Sequence, residues 1–202
     1  MKIKEIIKET HEDTIENIRN ECSQTIDLMN KTKKEIYHRS NYNYLNIEKI
    51  TPKTGRKPKD TPQIFHYLIN DYLDEKGIKT NRSNSIFGFK AIAPFGYGKN
   101  SFVLFPVNNP NILWFEKSYD LYVSLYKYVE NNINKNIDDV SENDIDKEKF
   151  KEYLNTLEPK TSLKEYLNNN NNDIEILISS PLYLVKKEIF KTKEFREQIG
   201  LL

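Results

Sequence analysis

Residues 101–107 read Ser-Phe-Val-Leu-Phe-Pro-Val, residues 108–111 read Asn-Asn-Pro-Asn, and residues 112–116 read Ile-Leu-Trp-Phe-Glu. Two short apolar runs flank a cluster of turn-forming residues, which predicts a buried strand, a turn and a second strand. Upstream, Ile64, Phe65, Leu68, Ile69, Tyr72 and Leu73 recur at helical spacing and form one apolar stripe. Asp60 or Thr61 can cap that helix, Pro62 suits its first turn, and Gly77 suits its end. Residues 83–90 read as a short strand and residues 91–99 as a loop. Downstream, Ser118 can cap a helix over 119–131, and residues 132–147 read as a loop with partial helix. A helix is expected over 148–157, and Thr161 or Ser162 can start a short one ending at Leu167. Strands are expected at 173–179 and 182–190, separated by Pro181, and a short helix over 191–202.

The N-terminal part reads differently. Ile3, Ile7, Ile15, Ile18, Cys22, Ile26 and Met29 mark a long amphipathic helix over 3–30, stopped by Lys31–Lys34. Residues 35–40 are strand-like, and the Pro- and Lys-rich stretch 51–62 is a loop. We therefore read residues 1–34 as a helical segment and 35–202 as one domain. Helices alternate irregularly with strands, which gives α+β rather than a doubly wound sheet. The expected core is the 64–73 helix with the strands of 83–115 and 174–190.

Composition narrows the function classes. The 202 residues carry 31 Lys+Arg and 30 Asp+Glu, so the formal net charge is +1. That balance argues against a protein whose main work is coating a nucleic-acid backbone. The 13 Tyr and 10 Phe argue for a folded chain. A lone cysteine, Cys22, permits neither an intramolecular disulfide nor a cysteine zinc cluster, and reads as a packed side chain. No apolar run approaches the about 20 residues that span a bilayer, and the charged start holds no secretory segment. A cytoplasmic setting and no membrane partner are expected.

Three segments place polar groups on or beside apolar strands, where burial is costly unless the group is used or satisfied. In Ile36-Tyr37-His38-Arg39-Ser40, a strand-end arginine can hold phosphate in a bidentate way or pair an ordinary carboxylate. In Arg82-Ser83-Asn84-Ser85-Ile86-Phe87-Gly88, two hydroxyls at i and i+2 would share a strand face. They can orient a charged neighbour, or simply mark a polar edge. In Asp173-Ile174-Glu175-Ile176-Leu177-Ile178, two carboxylates share one face and two isoleucines the other. Glu175 can stabilise a developing cation, or the strand can turn its acids to water. Lys53, Arg56, Lys57 and Lys59 form a basic run that reads as a solvated loop or a phosphate contact.

Taken in order, these segments resemble ADP-ribosyltransferases of the Arg–Ser–Glu type. Residues 36–40 are similar to the family's Arg-bearing strand, Ser83–Phe87 to its Ser-Thr-Ser strand with a following aromatic, and 173–179 to its Glu-x-Glu strand. Residues 56–70 and 82–89 also resemble small phage-encoded proteins of that fold. The resemblance spans roughly 36–185. Ser40 stands where the family has glycine, Asn84 replaces threonine, and Asp173 replaces the first Glu or Gln. The resemblance implies a split β-sandwich core with flanking helices, and transfer of ADP-ribose from NAD to a macromolecular acceptor, protein or nucleic acid, with release of nicotinamide. It implies NAD as substrate and no metal. Arg39 would bind NAD phosphates, with His38, Ser40, Ser85, Phe87 and Tyr97 lining the cleft. Ser83 would support Glu175 and Arg39. Glu175 would stabilise the oxocarbenium-like transition state, and Asp173 would face the acceptor. A member encoded by a phage would act in the host cytoplasm or travel in the virion. Two other readings remain open on the residues. One is a non-enzymatic phage or virus structural or binding module. The other is an NAD glycohydrolase.

Overall fold

The computed structural model describes residues 13–42, 44–56, 61–91 and 98–201. The stretch 92–97, with Tyr97, and the stretch 57–60, with Lys57, Asp60 and Lys59, lie outside the described residues, as does 1–12.

The chain opens with helical residues 13–21 (α1) and Ser23–Thr32 (α2). The bonds from Cys22 N to Ile18 O and from Ile26 N to Cys22 O, both 2.9 Å, carry the helix through the break at Cys22. Lys33 ends it in the left-handed region at φ 56°. Strands β1 (Tyr37–Ser40) and β2 (Ile47–Ile50) follow, then α3 (Gln63–Glu75). β3 (Ile86–Phe89), β4 (Asn100–Pro106) and β5 (Ile112–Phe115) come next. They are followed by α4 (Leu121–Asn132), α5 (Lys147–Thr156), β6 (Pro159–Lys160) and α6 (Leu163–Asn168). The chain closes with β7 (Glu175–Ile178), β8 (Leu182–Lys186), α7 (Lys187–Phe190) and α8 (Lys193–Ile199).

All the described strands join one antiparallel sheet in the order β2-β8-β4-β1-β3-β7-β5-β6. With its helices this makes an α+β protein. Among the described residues no helix is long and apolar enough to cross a membrane.

Alternation along the strands sorts the core onto the two sheet faces. Phe102, Leu104, Ile176, Ile178, Leu182 and Leu184 pack with Leu163, Tyr166 and Leu167 of α6 on one face. The other face is divided. Val103, Phe105, Tyr183 and Val185 pack under α1, α2, α7 and α8. Leu113 and Leu177 pack under α3, α4 and α5. The seam between these two helical groups runs along β1 and β3, which pair only through Tyr37 and Phe89. Gly88 lets the strands close there, because a Cβ would meet Ile36 Cγ2 at 2.6 Å.

Several local expectations are corrected. Thr61 does not cap α3: its hydroxyl is buried and has no partner, and Pro62 occupies the cap position. Asp120, not Ser118, caps α4, accepting from Tyr122 N, while Ser118 Oγ bonds Ser124 Oγ at 2.6 Å. The expected strand 182–190 ends at Lys186, since a helical turn brings Phe190 against Phe105 with ring centroids 6.0 Å apart. Residues 83–85 are a turn rather than strand. The side chains of Asn81 and Asn84 bond the local backbone there and displace ladder bonds.

Candidate functional site

The site begins where α3 ends. Gly77 takes φ +69°, its N–H bonds Asp74 O, and Ile78 N–H bonds Leu73 O, closing the helix in a Schellman turn. The chain then runs to a tight turn held by its asparagines. Asn81 Oδ1 accepts from Ser83 N at 2.9 Å, and Asn84 Oδ1 accepts from Asn81 N at 2.9 Å. This turn sends Arg82 inward and Ser83 toward α3.

Arg82 Nη1 donates to Glu175 Oε2 at 3.2 Å, and the two side chains are only 8% and 9% exposed. Glu175 opens β7, pairs with Phe89, and its backbone N–H bonds Tyr119 O at 2.8 Å. Burial pushes its carboxyl up to about 7, against the pull of Arg82. Asp120 adds to the rise and Arg56 opposes it. Burial costs an ion more than a partly screened partner returns.

A second guanidinium joins this pair. Arg56 lies 4.4 Å from the Phe87 ring centroid, and Arg82 lies 4.9 Å from the same centroid. Arg56 N bonds Ser83 O at 2.9 Å, and its Nη1 donates to Ser85 O at 3.2 Å. Arg56 nevertheless remains exposed to solvent along part of its length. Burial and the nearby Arg82 both lower its pKa. The charged groups acting on Glu175 are thus Arg82 and Arg56 on one side and Asp120 on the other.

On the α3 side, Asn70 Nδ2 donates to Ser83 Oγ at 2.8 Å, and Ser83 Oγ lies 3.1 Å from His66 Nε2. Burial, with Arg82 as a smaller cause, holds the His66 pKa below its ordinary value. His66 Nε2 and the Ser83 hydroxyl share one hydrogen bond. His66 Nδ1 and Asn70 Oδ1 are buried and have no partner. His38 is also held low by burial, and its Nδ1–H donates to Phe87 O at 2.8 Å.

The residues singled out in the sequence fall as follows. Arg39 is half-buried on β1, and alternation from Tyr37 places it on the sheet face of Phe89 and Glu175, with β3 between them. Ser40 is buried, and its Oγ accepts from Tyr42 N at 3.1 Å. Ser83 meets His66 and Asn70, not Glu175 or Arg39. Ser85 is buried and donates to Asn81 O. Phe87 carries the two guanidiniums. Asp173 is exposed and outside β7. Lys53 is exposed.

Arg82, His66 and Asn70 were given no role by sequence reasoning, and Arg56 was read only with the basic loop. One signal is available: His66 and Asn70 stand at i and i+4 on a helix, on either side of the apolar pair Leu68 and Ile69. Among the described residues no group of three or more His, Cys, Asp or Glu side chains is placed to hold a metal ion. The solvent-facing guanidinium of Arg56 suits an anionic ligand. No family model, curated protein or solved structure matches this chain.

Proposed function

We propose that the chain transfers ADP-ribose from NAD to a macromolecular acceptor, on an ADP-ribosyltransferase-like split β-sandwich. One observation carries the reading. The strand bearing Arg39, the strand following Ser83–Ser85 and the strand opened by Glu175 are consecutive neighbours, β1-β3-β7. The segments that resemble the family are far apart in sequence, yet their strands lie side by side in the sheet. The division of one sheet face between two helical groups also supports a split sandwich.

The chemistry follows from the residues. The bond between the ribose C1′ and the nicotinamide nitrogen breaks, and its electron pair leaves with nicotinamide. Positive charge builds on the ribose, and the Glu175 carboxylate stabilises it most in the transition state. Arg82 opposes the burial that would otherwise protonate Glu175. The acceptor nucleophile then bonds C1′ and gives up its proton to solvent or to exposed Asp173. A cytoplasm supplies NAD, and buried Cys22 is compatible with that setting.

The test is incubation with NAD labelled in its ADP-ribose part, in the presence of a cell extract. Wild type should label an acceptor, and Glu175→Gln should not. Labelling that survives Glu175→Gln, or none by wild type, overturns the reading.

A further inference from the structure

We infer that Arg56 and Arg82 form a phosphate clamp for a nucleoside diphosphate, with the Tyr42 ring as the platform for its base. The inference rests on the NAD reading and assigns the diphosphate to the loop before α3 and the turn before β3.

Two guanidiniums against one Phe87 ring repel each other; Glu175 bonds Arg82, and Asp120 is a further acidic neighbour of that carboxylate. An anion held beside Arg56 would relieve that repulsion. The donors are placed for one. Arg82 uses Nη1 on Glu175, while its Nε is buried and has no partner. Arg56 is anchored by Nη1 on Ser85 O and by its own backbone N–H on Ser83 O, so its fork is fixed while its edge meets solvent. A planar fork of this kind matches phosphate oxygens in bidentate geometry.

The aromatic neighbour extends the site. Tyr42 and Tyr44 are both electrostatic neighbours of Arg56. Tyr44 packs edge-on against Phe102 with centroids 5.4 Å apart, so its ring is committed to the core. Tyr42 is 74% exposed, and leans on Tyr44 with centroids 6.0 Å apart. A braced but exposed aromatic ring near Arg56 offers a π-face to a base whose phosphates the arginines hold.

The experiment is calorimetric titration of the full chain with ADP-ribose and, separately, with inorganic pyrophosphate at several salt concentrations. Arg56→Gln should weaken both ligands by about tenfold or more and flatten the salt dependence. Arg56→Lys should fall between, since it keeps the charge and loses the fork. Tyr42→Ala should weaken ADP-ribose and leave pyrophosphate unchanged. Unchanged affinity in Arg56→Gln overturns the clamp, and equal ADP-ribose affinity in Tyr42→Ala overturns the platform. If NAD turnover persists in Arg56→Gln and disappears in Glu175→Gln, the clamp falls while the NAD reading stands. Wild type that binds neither ligand overturns both.

Discussion

The Arg82 guanidinium and the Glu175 carboxylate meet at 3.2 Å across 93 positions of sequence, both under a tenth exposed. This contact ties the turn after α3 to the first residue of β7. Without Arg82 the buried Glu175 carboxyl takes up a proton and keeps an unsatisfied polar group. Arg82→Met should therefore lower unfolding free energy by about 1–3 kcal/mol near neutral pH, and by less near pH 5, where Glu175 is protonated in both proteins. Urea denaturation of Arg82→Met, Glu175→Gln and the double variant completes the cycle. The two losses should be strongly non-additive; additive losses would contradict the pair.

The same carboxylate sets a pH dependence with an unusual sign. Its pKa is raised from 4.5 to about 7 by burial, so between those values the folded chain holds more protons than the unfolded chain. Stability attributable to Glu175 is full below about 4.5 and falls as pH rises toward 7. His38 and His66, held below 6.5 by burial, act in the opposite sense. Their contribution is present above 6.5 and is lost as pH falls below it. The difference between wild-type and Glu175→Gln stability, followed from pH 4 to 8, isolates the Glu175 slope. A difference that grows in favour of wild type as pH rises would contradict the assignment.

Close packing at the β1–β3 seam makes a prediction about glycines. Gly88→Ala places a methyl 2.6 Å from Ile36 Cγ2 and 3.0 Å from Leu104 Cδ1, and should cost about 1–3 kcal/mol. Gly98→Ala should cost more. Its φ of +114° is one that L side chains rarely adopt, and the new Cβ would stand 2.4 Å from the backbone carbon of Ser40. Thermal melts of both variants check the order.

Cys22 reports on the integrity of the helix–sheet packing. Its thiol is buried, donates to Phe105 O at 3.3 Å, and has a pKa pushed up to about 12, chiefly by burial. Thiol reagents should label it only as fast as the chain opens, with a denaturant dependence that follows unfolding. Rapid labelling of the native chain would show that α1 and α2 are not packed on β4 and β8.

Much of the fold is legible from periodicity alone. The apolar stripe 64–73 and Gly77 mark α3, and the runs 101–107 and 112–116 mark β4 and β5, because burial on one helix face or both sheet faces leaves a local pattern. β2 leaves little pattern, since Glu48 and Lys49 break its two isoleucines and it is held by pairing with β8. Of the site, Arg39, Ser83, Phe87 and Glu175 were visible as motif residues. Arg82 stands beside Ser83 without a motif of its own, because a pairing made across the sheet has no local signature. Three of the tyrosines serve the core. Tyr72 donates to Asn155 Oδ1, Tyr166 to Ile174 O and Tyr183 to Glu21 Oε2, each burying its ring while its hydroxyl stays bonded.

The central claim is that the surface shared by β1, β3 and β7 cleaves NAD through Glu175. Nicotinamide release from NAD, measured with and without an acceptor mixture, tests it most directly. Wild type should release nicotinamide at a rate that rises as pH passes through about 7, where Glu175 ionises. Folded Glu175→Gln should release it at least about 100-fold more slowly. Equal rates for the two proteins, or no release by wild type under either condition, would contradict the account.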